Sequence, residues 1–258
     1  MKIILKKVLN KILNYFNLKI IKINSTFLIE KKKLIPFQES NFKYRLYFEG
    51  LNKSKNIQTD SFWKQSRYLD LINLVEKILK DKKILGDFVE LGCWKGHSSY
   101  IISKMIEKHK KNINFHIFDS FDGLSKTTVE DHNLNNFFNQ KQVSDIRNQF
   151  KSNEDFVKNE VLKDFNFIKI HKGWIPEKFN EVKDLNFSFI HIDVDLYYPT
   201  LKSLEFFFPR LLKGGIIICD DYNSWEFDGS KKAWDEFFSK NEVNFNFAPS
   251  VGSSFIIK

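Results

Sequence analysis

The sequence predicts an α/β fold built on a mostly parallel sheet. Short apolar runs alternate with longer segments of helical spacing, the pattern of strand–helix–strand units. Two strand-like runs, residues 244–248 and 253–257, end the chain with only a turn between them, so the sheet should finish in an antiparallel hairpin. A length of 258 residues suits one such domain with short appendages.

Five apolar runs are expected to be the parallel strands, and the hairpin brings the sheet to seven. In chain order they are residues 88–91, 115–118, 167–170, 187–192 and 216–218. Ahead of them, residues 62–85 place their apolar side chains at helical spacing. This helix should pack against the sheet that follows it.

An N-terminal helical arm is expected to precede this domain. Apolar residues recur at helical spacing from Ile4 to Phe16, with lysines on the other face. Residues 1–33 hold nine lysines and one acid, so they carry most of the formal net charge of +9. Because the rest of the chain is close to neutral, we expect no nucleic-acid partner. We assign residues 1–55 to this basic helix and an irregular connector, and residues 56–258 to the α/β domain.

Two interpretations of the basic helix stay open. It lies on an anionic membrane surface as a peripheral contact, or it packs within a homodimer while its lysines face solvent. Packing is favoured, because such arms often close dimers. No apolar stretch approaches the roughly 20 residues that span a bilayer, and lysines interrupt the N-terminal apolar run too early for a secretory signal. A cytoplasmic protein is therefore expected, with the inner membrane face as its peripheral alternative.

The loop after the first parallel strand is a candidate ligand-binding turn. It reads Glu90-Leu91-Gly92-Cys93-Trp94-Lys95-Gly96-His97-Ser98. Ligands of open parallel sheets lie beyond the carboxyl ends of the strands. Glycines let the backbone approach a ligand closely, and Ser98 can cap the following helix. The spacing fits neither the P-loop nor the dinucleotide glycine pattern, and a plain strand-to-helix turn is the alternative.

The ends of the next two strands favour a ligand that contains a nucleoside. Asp119 ends the second strand, where an acid can accept hydrogen bonds from both ribose hydroxyls. The alternative is that Asp119 only caps the turn at residues 120–123. The third strand is followed by Trp174, which places an aromatic ring near the expected adenine unless it is simply a core residue.

The most specific signal is a set of four acids at the ends of two strongly apolar strands. They are Asp193 and Asp195 after one strand, and Asp220 and Asp221 after the next. Burying four carboxylates together is very unfavourable unless a hard cation such as Mg²⁺ neutralises them. The alternative is that some of them cap helices or pair with lysines.

One long polar insertion interrupts the pattern between the second and third strands. It runs from Asp122 to about Val143 and includes His132. A polar loop of this length in a compact domain is usually a lid or a disordered segment.

Four stretches, taken in order, resemble the macrocin O-methyltransferase family. They are residues 86–96, 119–124, 191–197 and 214–222, within a region of resemblance that covers roughly residues 86–238. The family includes deoxysugar methyltransferases of macrolide and aminocoumarin biosynthesis. The resemblance implies the Rossmann-like fold of class I methyltransferases, and S-adenosylmethionine and Mg²⁺ as cofactors.

The resemblance also implies roles for individual residues. Asp193, Asp220 and Asp221 would hold Mg²⁺, and Asp195 would be the general base. His132 is a second candidate base, or else an exposed loop histidine. The residues that would bind S-adenosylmethionine are Glu90, Gly92, Trp94, Ser98, Asp119, Ser120, Trp174 and Asp193. The family's short cofactor-contacting motif before the core is expected within residues 56–68 and is not assigned to single residues.

The expected function is therefore O-methylation of a sugar in the biosynthesis of a surface polysaccharide, a glycolipid or a glycosylated natural product. The acceptor is a small molecule or a glycan. A metal-dependent methyltransferase of a catechol-like molecule would use the same carboxylates with a different lid. A non-catalytic S-adenosylmethionine-fold or nucleotide-binding module at the membrane surface is the alternative from another class.

Overall fold

The computed structural model describes residues 18–23, 26–31, 41–241, 243, 245–247 and 253–258. The chain divides into two compact units, residues 1–45 and 46–258, and each is described by itself. The helix predicted from Ile4 to Phe16 and the turn predicted at residues 249–252 lie outside the described residues.

In the N-terminal unit two strands form an antiparallel pair. Strand β1 (Leu18–Ile23) pairs with β2 (Thr26–Lys31), in a register that sets Leu18 opposite Lys31. The prediction of an irregular connector is wrong for these residues. In β1 single lysines separate the apolar residues, a pattern close to the period of two that indicates a strand and that the high lysine content obscured. Helix α1 (Asn41–Lys53) replaces a further part of the predicted connector.

A seven-stranded, mostly parallel sheet organises the larger unit, as predicted. Its strands are β3 (Asp87–Leu91), β4 (Phe115–Asp119), β5 (Ile168–Lys172), β6 (Phe187–Ile192), β7 (Leu211–Cys219), β8 (Phe245–Phe247) and β9 (Ser254–Ile257). Strands β3 to β7 are parallel, whereas β9 runs antiparallel to both β7 and β8. The terminal hairpin is therefore present.

The strand order, β5-β4-β3-β6-β7-β9-β8, decides where a ligand can bind. From β3 the chain builds outward through β4 and β5, and then returns to place β6 on the other side of β3. The loops that leave β3 and β6 therefore diverge and open a crevice at the carboxyl edge of the sheet.

Helices cover the sheet. They are α2 (Phe62–Lys80), α3 (His97–His109), α4 (His132–Phe137), α5 (Gln140–Gln149), α6 (Glu154–Phe156), α7 (Tyr197–Arg210) and α8 (Asp228–Phe238). Helix α2 packs on α3, β6 and β7, and α7 packs on α8, β6 and β7. The predicted helix at 62–85 ends five residues early, at Lys80.

One face of the sheet forms the main apolar core with α7 and α8. The side chains that meet there are Val89, Leu91, Ile190, Ile192, Ile217 and Cys219 from the strands, and Leu204, Phe207, Phe208 and Trp234 from the helices. This packing fixes the strand ends at which the polar residues of the next section begin. Within the described part of the chain, no helix is both long and apolar enough to cross a membrane.

Candidate functional site

The β3–α3 loop lies directly against the backbone that follows β6. Gly92 has a φ of +85°, and a Cβ on it would be 1.8 Å from the carbonyl oxygen of Asp193. Only glycine therefore fits at this position. Helix α3 begins at His97 with Gly96 at its N-cap position, so the prediction that Ser98 caps this helix is wrong.

Asp119, the last residue of β4, holds this loop in place. Its Oδ2 accepts hydrogen bonds from the backbone N–H groups of Cys93 at 2.7 Å and Trp94 at 2.9 Å, and its Oδ1 accepts one from Phe121 at 2.7 Å. The capping role considered for Asp119 is thus present. A carboxylate offers about four acceptor positions, which leaves room for a ligand hydroxyl. Burial raises the pKa of Asp119, and the backbone hydrogen bonds offset only part of this rise.

A cleft of about 540 Å³, counting the space open to solvent, lies at the carboxyl edge of the sheet. The predicted site residues that line it are Gly92, Trp94, Asp119, Ser120, Trp174, Asp193 and Asp195. Lining residues that the sequence did not single out include Leu124, Ser125, Phe150, Ile175 and Pro199.

The cleft suits a flat apolar ring that carries polar atoms. Two of its polar atoms, Nε1 of Trp94 and Oγ of Ser125, are buried and have no hydrogen-bond partner within the described structure. Buried polar groups are normally paired, so these two atoms indicate a ligand. Trp94 and Phe150 pack with their ring centroids 5.6 Å apart, and Trp174 adds a third aromatic side chain to the lining. The adenosyl group of S-adenosylmethionine fits this combination.

Glu90 and Ser98 lie outside the lining of the cleft. Glu90 is fully buried, and its carboxylate accepts hydrogen bonds from the Ser99 hydroxyl and from Nδ1 of His191, the latter at 2.9 Å. Ser98 is buried within the first turn of α3. Their predicted cofactor contacts stay predictions.

The predicted metal ligands meet at one point. Asp193, Asp220 and Asp221 each offer an oxygen, and these three oxygens lie within 4.8 Å of one another. The reason is topological, because Ile192 at the end of β6 pairs with Cys219 at the end of β7. Asp195 belongs to the same group of acids, since its backbone N–H donates to Oδ2 of Asp221 at 3.0 Å.

The repulsion among these carboxylates would be relieved by a positive charge. Burial raises the pKa of Asp193, and repulsion from Asp220 and Asp221 raises it further. Burial also raises the pKa of Asp195, as do the neighbouring carboxylates. Asp220 differs: burial opposes its ionisation, but the charges of Arg67 and His191 hold its pKa below the usual range. Three oxygen donors with this excess of negative charge fit a hard divalent cation.

His191 links Glu90 to this cluster. Its Nδ1 lies 2.9 Å from Glu90, and its Nε2 lies 3.9 Å from Oδ1 of Asp220. Burial alone would lower the pKa of His191, but the two carboxylates raise it to about 10. His191 is therefore held by Glu90 directly beside the acids.

Sequence reasoning missed Arg67. This residue of α2 donates a hydrogen bond from Nη1 to Oδ2 of Asp220, and the same Nη1 lies 3.6 Å from Oδ1 of Asp221. The available signal was its place within residues 56–68, where the family's additional motif was expected. The alternative that the acids pair with basic side chains thus holds in part, with an arginine in place of lysine.

The insertion at 122–143 contains α4 and the first turn of α5, and it is anchored to the domain. Asp131 is fully buried and accepts hydrogen bonds from the backbone N–H groups of Thr128 at 2.7 Å and Tyr197 at 2.8 Å. His132 is the first residue of α4, lies outside the cleft lining, and has Nδ1 3.9 Å from a carboxylate oxygen of Asp228. Its side chain is 54% exposed, so its use as a base stays a prediction.

Comparisons with known proteins point to one family. The family model described as Macrocin-O-methyltransferase (TylF) matches residues 6–249. Over 153 residues the chain is 28% identical to 8-demethyl-8-(2,3-dimethoxy-alpha-L-rhamnosyl)-tetracenomycin-C 4'-O-methyltransferase of Streptomyces olivaceus, with 57% of each protein covered. Over 161 residues it is 26% identical to mycinamicin III 3''-O-methyltransferase of Micromonospora griseorubida, with 60% of this chain and 62% of that protein covered. The chain thus matches less than two thirds of the length of these relatives.

A solved structure shares the fold. The O-methyltransferase NovP superposes with a TM-score of 0.67 at 16% identity, over 83% of this chain and 98% of that one. At this identity the likeness concerns the fold alone. It confirms the Rossmann-like fold of class I methyltransferases that the sequence predicted.

Proposed function

The chain belongs to the macrocin O-methyltransferase (TylF) family, and from this premise we propose that it transfers the methyl group of S-adenosylmethionine to a hydroxyl of a sugar with the help of a divalent cation. The observation that carries the proposal is the position of Asp193. This residue lines the cleft and also belongs to the carboxylate cluster, so a cofactor and a cation would lie side by side.

The chemistry requires this adjacency. A sugar hydroxyl is too weak an acid at neutral pH to attack a methyl group unaided. S-adenosylmethionine would supply an activated methyl group, and a cation held by Asp193, Asp220 and Asp221 would supply the positive charge that lowers the pKa of the hydroxyl. The role of the protein is to hold the acceptor oxygen in line with that methyl group and to remove the proton of the acceptor hydroxyl.

We assign to Asp195 the role of general base, which takes the proton of the acceptor hydroxyl. It lines the cleft and is tied to Asp221 through its own backbone N–H, so its carboxylate lies at the boundary between cleft and cluster. Burial and the neighbouring acids raise its pKa, which favours a carboxylate that accepts a proton readily. Positive charge from a bound cation would keep it ionised before the transfer.

The sugar acceptor is supported by two observations. Both relatives described above are named for methylation at a primed, sugar-type position, and one name specifies a rhamnosyl group. In this chain Trp225 and Phe137 are 54% and 65% exposed, and their ring centroids lie 5.4 Å apart. Exposed aromatic rings are suited to stack on the apolar face of a sugar ring, and these two lie outside the lining of the cleft. The same surface would also accept a catechol, so the acceptor screen includes catechols.

An acceptor screen tests the proposal. The protein is incubated with methyl-labelled S-adenosylmethionine, Mg²⁺ and a panel of nucleoside-diphosphate deoxysugars, simple deoxysugar glycosides and catechols. We expect label in the sugar fraction and none in the catechols. Label in catechols alone would replace the sugar by the alternative acceptor. Binding of S-adenosylhomocysteine without transfer to any acceptor would favour a non-catalytic module.

A further inference from the structure

We propose that Arg67 is an internal counter-ion of the carboxylate cluster, which competes with the divalent cation and thereby sets the affinity of the site for metal. The inference rests on the metal centre of the proposed function. It concerns a residue outside the ligand set, on a different element of the fold from any of the acids.

The geometry puts Arg67 against two of the three acids that a cation would use. Its Nη1 is hydrogen-bonded to Asp220 and lies 3.6 Å from Asp221, so one guanidinium nitrogen contacts two of the three acids. A guanidinium has no lone pair to offer a metal and stays charged at any pH that the protein experiences. Arg67 and a cation would therefore be like charges on the same two carboxylates, and each would weaken the binding of the other.

The exposure of the side chains indicates that Arg67, rather than Asp220 or Asp221, is the one that moves. The side chains of Asp220 and Asp221 are 3% and 6% exposed, whereas that of Arg67 is 30% exposed. The acids are also tied down: Oδ1 of Asp220 accepts a hydrogen bond from Ser253 at 3.0 Å, and Asp221 accepts one from the backbone of Asp195. When a cation enters, it is the arginine that withdraws toward solvent.

The other basic side chain near the acids is held in place. Within the described residues, the basic side chains with a nitrogen within 4.0 Å of an oxygen of these three acids are Arg67 and His191. His191 is 1% exposed and bound to the fully buried Glu90. Arg67 is thus the movable positive charge that offsets the repulsion among the carboxylates when no metal is bound. Its repulsion of a cation weakens metal binding.

The test is calorimetric titration of Mn²⁺ into the cofactor-free protein, with Mg²⁺ as a second titrant. Arg67→Gln should bind Mn²⁺ at least about tenfold more tightly than the native chain, because a like charge has been removed beside the site. Arg67→Lys keeps the charge but lacks the planar fork, and should show a smaller rise. The matched control is Arg210→Gln, since Arg210 donates hydrogen bonds to the backbone carbonyls of Lys183 and Phe206 and lies over the Phe206 ring. The Mn²⁺ affinity of this variant should equal that of the native chain.

Thermal melting gives an independent readout. Without metal, Arg67→Gln should melt below the native chain, because the buried acids Asp220 and Asp221 have lost a counter-ion. Saturating Mg²⁺ should remove most of that difference, since the ligand stabilises the variant more. If Arg67→Gln does not fold, the rise in affinity of Arg67→Lys carries the test.

The outcomes separate this inference from the proposed function. Equal or weaker Mn²⁺ binding by the Arg67 variants, with normal binding by the native chain, would overturn the counter-ion role and leave the metal centre intact. Binding by the variants but not by the native chain would support the inference in its strongest form. Absence of binding by all of these proteins would overturn both.

Discussion

Removal of divalent cations with EDTA is expected to abolish methyl transfer, and excess Mg²⁺ is expected to restore it. The physical reason is the cluster of Asp193, Asp220 and Asp221, whose oxygens lie within 4.8 Å of one another in a largely buried position. Without a cation, Asp220 and Asp221 raise the pKa of Asp193, and the three acids offer nothing that acidifies a sugar hydroxyl. Transfer of labelled methyl groups is measured in EDTA, and then after Mg²⁺ is added back.

Two controls accompany that experiment. S-adenosylhomocysteine binding is measured by calorimetry in EDTA, because loss of the cofactor would also stop the reaction. Asp81→Asn serves as a matched acid-to-amide variant, since Asp81 lies at the far end of α2 and bonds to the backbone of Lys83. This variant should keep the native response to both reagents. Full activity of the native chain in chelator would show that the cluster has another purpose.

Replacing Asp195 by Asn is expected to lower kcat by about 100- to 10,000-fold, the usual contribution of a general base. The substitution conserves shape and removes only the ability to take a proton. Asn also tolerates the φ of +61° found at this position, and the backbone N–H that donates to Asp221 is retained. Folding and S-adenosylhomocysteine binding should therefore stay near native, which calorimetry and thermal melting check.

The same experiment decides between the two candidate bases. His132→Gln should change kcat little, because His132 lies outside the cleft lining and its imidazole is 3.9 Å from Asp228. The reverse pattern, with near-native turnover for Asp195→Asn and lost turnover for His132→Gln, would move the base to the insertion.

The meeting of the acids could be predicted from the sequence because it follows from topology. Parallel strands place their carboxyl ends at one edge, so residues after Ile192 and Cys219 had to be neighbours once β6 and β7 were adjacent. The fold itself followed from the alternation of apolar runs and helical segments. These features depend on local patterns repeated along the chain.

Arg67 could not be predicted in the same way. It lies 153 residues before Asp220, and their contact depends on how α2 packs across β6 and β7. No local pattern records that packing. Phe150 and Leu124 illustrate the same limit, because they reach the cleft only through the path of the insertion.

Glu90 shows a different limit. Its place in the glycine-containing turn makes it a candidate for the cofactor, which stays a prediction, and the sequence did not indicate that the parallel register sets Glu90 opposite His191 on the neighbouring strand. A carboxylate beside an imidazole in the core forms a buried hydrogen bond, and Glu90 accepts one from Nδ1 of His191 at 2.9 Å. Register decides which neighbour a strand residue meets, and the sequence alone does not specify it.

Diffraction from crystals grown with Mn²⁺ and S-adenosylhomocysteine tests the adjacent cofactor cleft and metal centre most directly. We predict S-adenosylhomocysteine in the cleft between Gly92 and Trp174, and an anomalous Mn²⁺ peak at coordination distance from Asp193, Asp220 and Asp221. A structure with S-adenosylhomocysteine bound, no Mn²⁺ at these three carboxylates and Arg67 still hydrogen-bonded to Asp220 would contradict the proposed metal centre.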